Sequence, residues 1–294
     1  MKRESRSDII LLSSFYVFIF LFAVFCLLPF ILVIISSFTD EVVLMQDGFK
    51  LIPRKLSTEA YRFIFRTSKI FNAYKVTIFV TVAGTAMSLI FTTMLAYPLS
   101  APNVKYRNRI AFYVYFTMLF QGGLVPSYIL ITRYLQLKNN IWVLIIPALI
   151  SPWNMFLMRN FFKQLPESFV ESAKIDGAND MLILRKIILP ISLPSMATIG
   201  LFYALAYWNE WFRALLYIDD SKLFTLQYLI MSILRSASFA SDIAQEGGLV
   251  DFSFLPTYSV RMATLVVAIG PIIFVYPFIQ KYFVKGLTVG GVKG

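Results

Sequence analysis

Leu165-Pro166-Glu167-Ser168-Phe169-Val170-Glu171-Ser172-Ala173-Lys174-Ile175-Asp176-Gly177-Ala178, running on through Asn179 to Ile187-Ile188-Leu189-Pro190, is a charged island between two oily segments. Its residues spell two short helices with an enforced bend. Pro166 suits a helix start, where its missing N–H costs nothing. Glu167, Glu171 and Lys174 follow at steps of four and three and so share one face, leaving Phe169, Val170 and Ala173 on others. Gly177 is placed to take the left-handed conformation that ends such a helix. Asn179 then caps a second helix, with Asp180 near its positive end and Arg185 and Lys186 near its negative end. Pro190 limits or kinks that helix. A polar helix-turn-helix held between membrane spans is built to be gripped from outside the bilayer.

Composition sets the island in a membrane. At 58% hydrophobic and 15% charged, 294 residues carry more apolar surface than a soluble core of that size can hide. With no His and one Cys, the chain points away from metal sites, disulfides and His-based acid/base chemistry. Cys26 lies in the first apolar run and reads as a small lipid- or core-facing side chain. The formal charge of +11 comes from basic residues flanking oily runs, so interface anchoring explains it and nucleic acid does not.

Six uncharged runs organise the chain: Ile9–Thr39, Val76–Val104, Ile110–Thr132, Ile141–Met158, Ile187–Asn209 and Met262–Gln280. At about 1.5 Å per residue each can cross a core of roughly 30 Å, the fourth only just. Backbone groups in hydrocarbon must pair internally, so the runs are helices. The expected fold is all-α and integral to the membrane, with six transmembrane helices and both termini on one side. The first run is too long for a secretion signal and no small-residue cleavage site follows it, so it reads as a retained helix kinked at Pro29. Leu223–Leu234 is too short to span and reads as a surface or re-entrant helix. Segments 1–8, 98–109, 159–186 and 281–294 hold the denser Lys and Arg, which puts them in the cytoplasm. Opposite them, 39–75 and 219–256 are long, the latter carrying Asp219, Asp220, Asp242, Glu246 and Asp251. Loops of that size serve either as a docking surface for a substrate-delivering protein or as plain connectors.

Glu171-x-Ala173, Gly177 six residues after the Glu, and Ile187-x-Leu189-Pro190 together resemble the cytoplasmic "EAA loop" of ABC importer permeases, with Ser172 where that family often has Ala. Asp176-Gly177-Ala178, Tyr207-Trp208-Asn209-Glu210-Trp211-Phe212 and the tail from Lys285 to Gly294 are similar to the carbohydrate-uptake branch, close to maltose-type and polysaccharide permeases. The resemblance covers nearly the whole chain. It implies a type I ABC importer permease fold in the cytoplasmic (inner) membrane of a bacterium. Residues 1–8 and 281–294 would be cytoplasmic termini, 9–280 the six-helix domain and 159–190 its coupling loop. Glu171, Ala173, Asp176, Gly177, Ala178 and Pro190 become the ATPase-coupling set, Glu171 pairing with a basic residue in the ATPase cleft. The implied partners are a second homologous permease, two ATP-binding cassette subunits that bind the ATP and Mg, and an extracytoplasmic solute-binding protein. The cargo is a carbohydrate, the surroundings are membrane lipid, and this chain itself needs no cofactor.

The residues agree that the engine lies elsewhere. No G-x-x-x-x-G-K-[ST] phosphate loop occurs, and Gly290-Gly291-Val292-Lys293-Gly294 has neither its spacing nor a following helix. A membrane-embedded enzyme would need an H-E-x-x-H pair or paired aspartates within a span, and neither is present. For the pathway, Tyr203, Tyr207, Glu210 and Trp211 fall at helical steps of three and four, with Trp208 and Asn209 beside them. Aromatic faces suit sugar C–H surfaces, and Asn and Glu suit hydroxyls. The same residues equally suit an interfacial aromatic belt with a Glu210–Arg213 pair. Gly84, Ala86, Ser88, Gly200 and Ala204 are small residues suited to close helix packing. The tail glycines mark either a frayed end or a segment reaching between ATPase subunits. An importer permease for a non-sugar solute is the alternative, against which the Asn209–Phe212 region and the tail argue.

Overall fold

The computed structural model describes residues 6–66, 68–245 and 258–270. The chain divides into two compact units, Met1–Ser68 with Ser232–Gly270, and Lys69–Met231 with Pro271–Gly294. The last ten residues of the expected sixth span (271–280), the C-terminal tail, Glu246 and Asp251 lie outside the described residues.

In the first unit, α1 (Arg6–Ser37) runs through Pro29 and exposes Phe18, Phe22 and Phe25 along its length. Cys26 is exposed on the same helix. Residues 39–66, expected as a long outer loop, are folded. Asp40 caps α2 (Glu41–Asp47) by accepting from the Val42 N–H, and its carboxylate pairs with Lys55 at 2.8 Å. The Lys55 hydrogen bond holds the Asp40 carboxyl below its ordinary pKa. That contribution to stability is present above the unfolded carboxyl's pKa and fades as pH falls through the lowered one. Thr39 and Leu56 form an antiparallel bridge, and α3 (Glu59–Phe65) returns Tyr61 to stack on Phe38 and hydrogen-bond Ser37. The Glu41 carboxylate accepts from the N–H groups of Tyr258 and Ser259 and from the Ser259 hydroxyl, capping the helix Tyr258–Gly270. A carboxylate at a helix N-terminus is matched both by hydrogen bonds and by the dipole.

The second unit is built on α4 (Ser68–Ser100), 33 residues long, which starts one turn or more before the uncharged run and takes Lys69 and Lys75 into its first turns. The third, fourth and fifth runs are not straight helices. α5 (Arg107–Leu119) and α6 (Leu124–Ile129, continued as a wide turn to Tyr134) meet at 111°. Gly123, with φ of +85°, makes that corner, a conformation costly for any residue with a Cβ. Ile141–Ala148 and α7 (Pro152–Lys163) meet at 49°, where Pro152 starts the new helix and Ser151 caps it. The fifth run bends by 84° between Asp180–Ile191 and Leu193–Trp208, with Pro190 and Pro194 each in a first helical turn. Among the described residues two helices are long and apolar enough to cross a membrane alone, and five spans result if each bent pair counts as one.

Helices α8 (Ser168–Ile175), α9 (Asp180–Ile183) and α10 (Leu189–Ile191) form the polar stretch, and α11 (Leu193–Trp208) follows. α12 (Phe212–Tyr217) follows, and α13 (Leu226–Gln245), occupying the run read as too short to span, starts in this unit and continues past Met231 into the first. The core of this unit gathers Val80, Leu99, Met155, Met158, Ile183 and Ile199. Small residues let α4 and α11 approach closely. A Cβ on Gly84 would stand 2.7–2.9 Å from the Tyr207 ring, and one on Gly200 3.2 Å from the flexible end of Leu89. Nothing lies within 4 Å of the same position at Gly122. Thermal unfolding of the purified protein should therefore grade the three alanine substitutions. Gly84→Ala should cost about 1–3 kcal/mol through overpacking against a buried ring, Gly200→Ala less, and Gly122→Ala nothing comparable.

Candidate coupling site

Pro166 accepts the Phe169 N–H through its carbonyl, and Glu167 accepts those of Val170 and Glu171, so the turn before α8 is already wound when the helix begins. Ala173 is the buried residue of α8, while Glu167, Glu171 and Lys174 face outward. The helix ends on Gly177 at φ +79°. There the Ala178 N–H reaches the Ala173 carbonyl at 2.9 Å and the Gly177 N–H reaches that of Lys174 at 3.0 Å. That bond pair is the Schellman arrangement, which satisfies carbonyls a helix end would leave bare. Asn179 Oδ1 then accepts the Leu182 N–H at 2.8 Å, capping α9. Lys174 and Asp180 pair at 3.2 Å across the bend.

Beyond α9 the backbone widens into a π turn over Leu184–Ile188, which leaves Arg185 and Lys186 exposed and Leu184 and Ile188 buried. The whole stretch is thus a folded helix pair seated on the core through Ala173, Ile183, Leu184 and Ile188. A groove of about 770 Å³ opens beside it, lined by Tyr97, Arg107, Lys163, Glu171, Lys174 and Asp180 among others. Glu171 is exposed and has no ion-pair partner among the described residues. Ile175 is 86% exposed and Met181 59%. The charged helix pair thus presents two apolar side chains at its surface. Sequence reading took the charges and missed these two, although an Ile at the end of a polar helix is the visible signal.

The six candidates for substrate contact divide. Tyr203 and Tyr207 are buried, at 2% and 1% exposure. Tyr207 shares a hydrogen bond with Ser88 at 2.9 Å and donates to the Ile145 carbonyl at 3.3 Å. Tyr203 bonds Thr92 at 2.6 Å and accepts the Ser151 N–H at 2.9 Å. Trp208 is buried, its indole N–H without a partner among the described residues. α11 stops at Trp208, so Glu210 and Trp211 do not continue the helical face that their spacing suggested. Asn209 terminates α11 and is exposed, as is Trp211. Glu210 is buried, pairs with Arg213, and accepts the Arg213 N–H at 2.7 Å. Arg159, not singled out from sequence, donates to the Leu99 carbonyl at 2.8 Å and ties α7 to the end of α4.

The family described as "binding-protein-dependent transport system inner membrane component" matches residues 86–289. The chain is 44% identical over 280 residues to the polygalacturonan/rhamnogalacturonan transport system permease protein YtcP of Bacillus subtilis, covering 95% of this chain and 96% of that one. It is 30% identical to the arabinooligosaccharides transport system permease protein AraQ of Halalkalibacterium halodurans, over the full length of both. Among solved structures it is similar to a chain of a bacterial ABC transporter involved in the import of the acidic polysaccharide alginate, with a TM-score of 0.82 and 32% identity. That match covers 96% of this chain and 100% of the other.

Substitution at the bend tests the helix pair's local chemistry. Gly177→Val should destabilise the positive-φ corner by about 1 kcal/mol or more, while Gly177→Asn is better tolerated. Amide exchange in 168–183 should accelerate more in the Val variant.

Proposed function

This chain belongs to the family of binding-protein-dependent transport system inner membrane components, and from that premise we propose that it is the permease subunit of an ABC importer for an oligo- or polysaccharide. One observation carries the reading of its mechanism: a folded polar helix-turn-helix, rooted in the core, that offers an exposed carboxylate at Glu171 along with exposed Ile175 and Met181. Such a surface receives force from a partner and performs no covalent chemistry.

In this reading the chain crosses the cytoplasmic membrane six times across 9–280, each bent pair counting as one span and the helix from Tyr258 beginning the sixth. Residues 1–8 and 281–294 are cytoplasmic, and 159–190 is the EAA coupling loop. Glu171, Asp176, Gly177, Ala178 and Pro190 seat one of two ATP-binding cassette subunits, which hold the nucleotide, while Ala173 acts from beneath by fixing α8 to the core. A homologous permease completes the pathway, and a solute-binding protein delivers the glycan to the opposite side. Closure of the ATPases draws the two loops together, and the spans rock as bodies between inward- and outward-facing states. The named cargoes of the relatives, polygalacturonan and arabinooligosaccharides, support a carbohydrate cargo here.

Glu171→Lys tests the handle. Truncating or reversing a desolvated interfacial charge costs on the order of 2–5 kcal/mol, largely because its partner is left unpaired. The variant should insert normally, lose most ATPase subunit on co-purification and take up no glycan. Uptake at the wild-type rate would refute the coupling role.

A further inference from the structure

A second cleft, of about 470 Å³, opens where the third run breaks, lined by Gln121, Gly122, Gly123, Ser127, Phe212 and Arg213 among others. It lies at the far ends of the helices that rise from the coupling groove. α5 starts at Arg107, which lines that groove, and ends at Leu119, just before the break. α11 likewise starts after the loop and ends at Trp208, shortly before Arg213.

The cleft's surface is chemically specific. Arg213 is its one charged lining residue among the described residues. Its counter-charge, Glu210, is buried behind it, outside the lining, and holds both the Arg213 backbone N–H and the guanidinium. The fork is therefore fixed in place rather than free to swing; its Nε is itself buried, with no partner among the described residues. The Gln121 amide is exposed with no partner among them either. At Gly122 and Gly123 nothing lies within 4 Å of where a Cβ would stand, so the backbone itself faces open space. The Ser127 hydroxyl steadies that corner by donating to the Gly123 carbonyl at 2.7 Å. Phe212 is 44% exposed, set edge-on to Trp211 at 5.5 Å.

We propose that this cleft binds one carboxylate-bearing sugar unit of the translocated glycan, at the end of the pathway away from the coupling loop. The inference rests on the glycan-import reading and adds to it a substrate class and a site. Arg213 takes the carboxylate through guanidinium N–H groups that Glu210 does not hold, and no anion lines the cleft among the described residues. Gln121 and the Gly122–Gly123 backbone take hydroxyls, and the Phe212 ring takes the sugar's C–H face. A helix cap alone would need only the Glu210 carboxylate; the arginine side chain is what brings charge to the diglycine corner.

The test uses the assembled permease pair with its ATPases in nanodiscs, without solute-binding protein, titrated calorimetrically with trigalacturonate and with its methyl ester. The wild type should bind the acid roughly tenfold more tightly than the ester, the equivalent of one charge-assisted contact. The double variant Glu210→Gln/Arg213→Gln, which leaves neither charge stranded, should bind both alike. Gln121→Ala, at an exposed position, should weaken acid and ester equally. Retention of the acid preference in the double variant would overturn the assignment. So would a wild type that binds neither probe while the complete system still imports polygalacturonan fragments. A complete system that imports no glycan at all would instead remove the import reading on which this site depends.

Discussion

Two tyrosine hydroxyls, those of Tyr203 and Tyr207, impose the constraint on which the second unit depends. In an apolar interior an unmatched hydroxyl costs several kcal/mol, and both of these are matched. Their partners lie on α4 (Ser88 and Thr92) and on the stretch leading into α7 (the Ile145 carbonyl and the Ser151 N–H). Gly84 leaves the room that the Tyr207 ring fills. Three segments far apart in sequence are thereby set in one register. Directional bonds do this where lipid offers helices no hydrophobic reason to associate.

The constraint determines what the polar loop can do. Its two arms, α7 and α11, are both fastened to α4: α11 through the tyrosines, α7 through the Arg159 bond to Leu99. The loop between them is itself seated on the core by Ala173, Ile183, Leu184 and Ile188. Its bend is closed by the Schellman bonds at Gly177 and by the Lys174–Asp180 pair. Under the proposed coupling role, a load applied at Glu171 enters a loop fastened at both arms and along its length. In that proposal α4, α7 and α11 share the load, and rocking moves them together.

The loop was the part most legible in the sequence, because its geometry is decided within a few residues. Gly177 turns the chain and Asn179 restarts it by bonds that span five positions or fewer. The breaks in the apolar runs were not legible, since an uncharged stretch shows its length but not where it turns. Gly123 and Pro152 mark the corners only once the partners around them are known. Periodicity correctly put Tyr203 and Tyr207 on one face of α11. It could not say whether that face meets a cavity or another helix, because Ser88 and Thr92 are more than a hundred positions away. The stretch 39–66 read as a loop from its mixed charges. Its order comes from the Asp40–Lys55 pair, the Tyr61 return and the distant contact of Glu41 with Ser259. The Glu210–Arg213 pair was visible as a pair, but the cleft in front of it depends on a corner in another run.

In the proposed mechanism the polar loop faces the cytoplasm and is covered by a nucleotide-hydrolysing partner. The chain's single cysteine makes this directly measurable. In a Cys26→Ala background, Ile175→Cys places one thiol at the loop's most exposed apolar position. Labelling with a membrane-impermeant maleimide should fail in intact cells, succeed in inverted vesicles stripped of ATPase, and fail again once the ATPase subunits are restored. Labelling in intact cells, or labelling indifferent to the ATPase, would contradict the account.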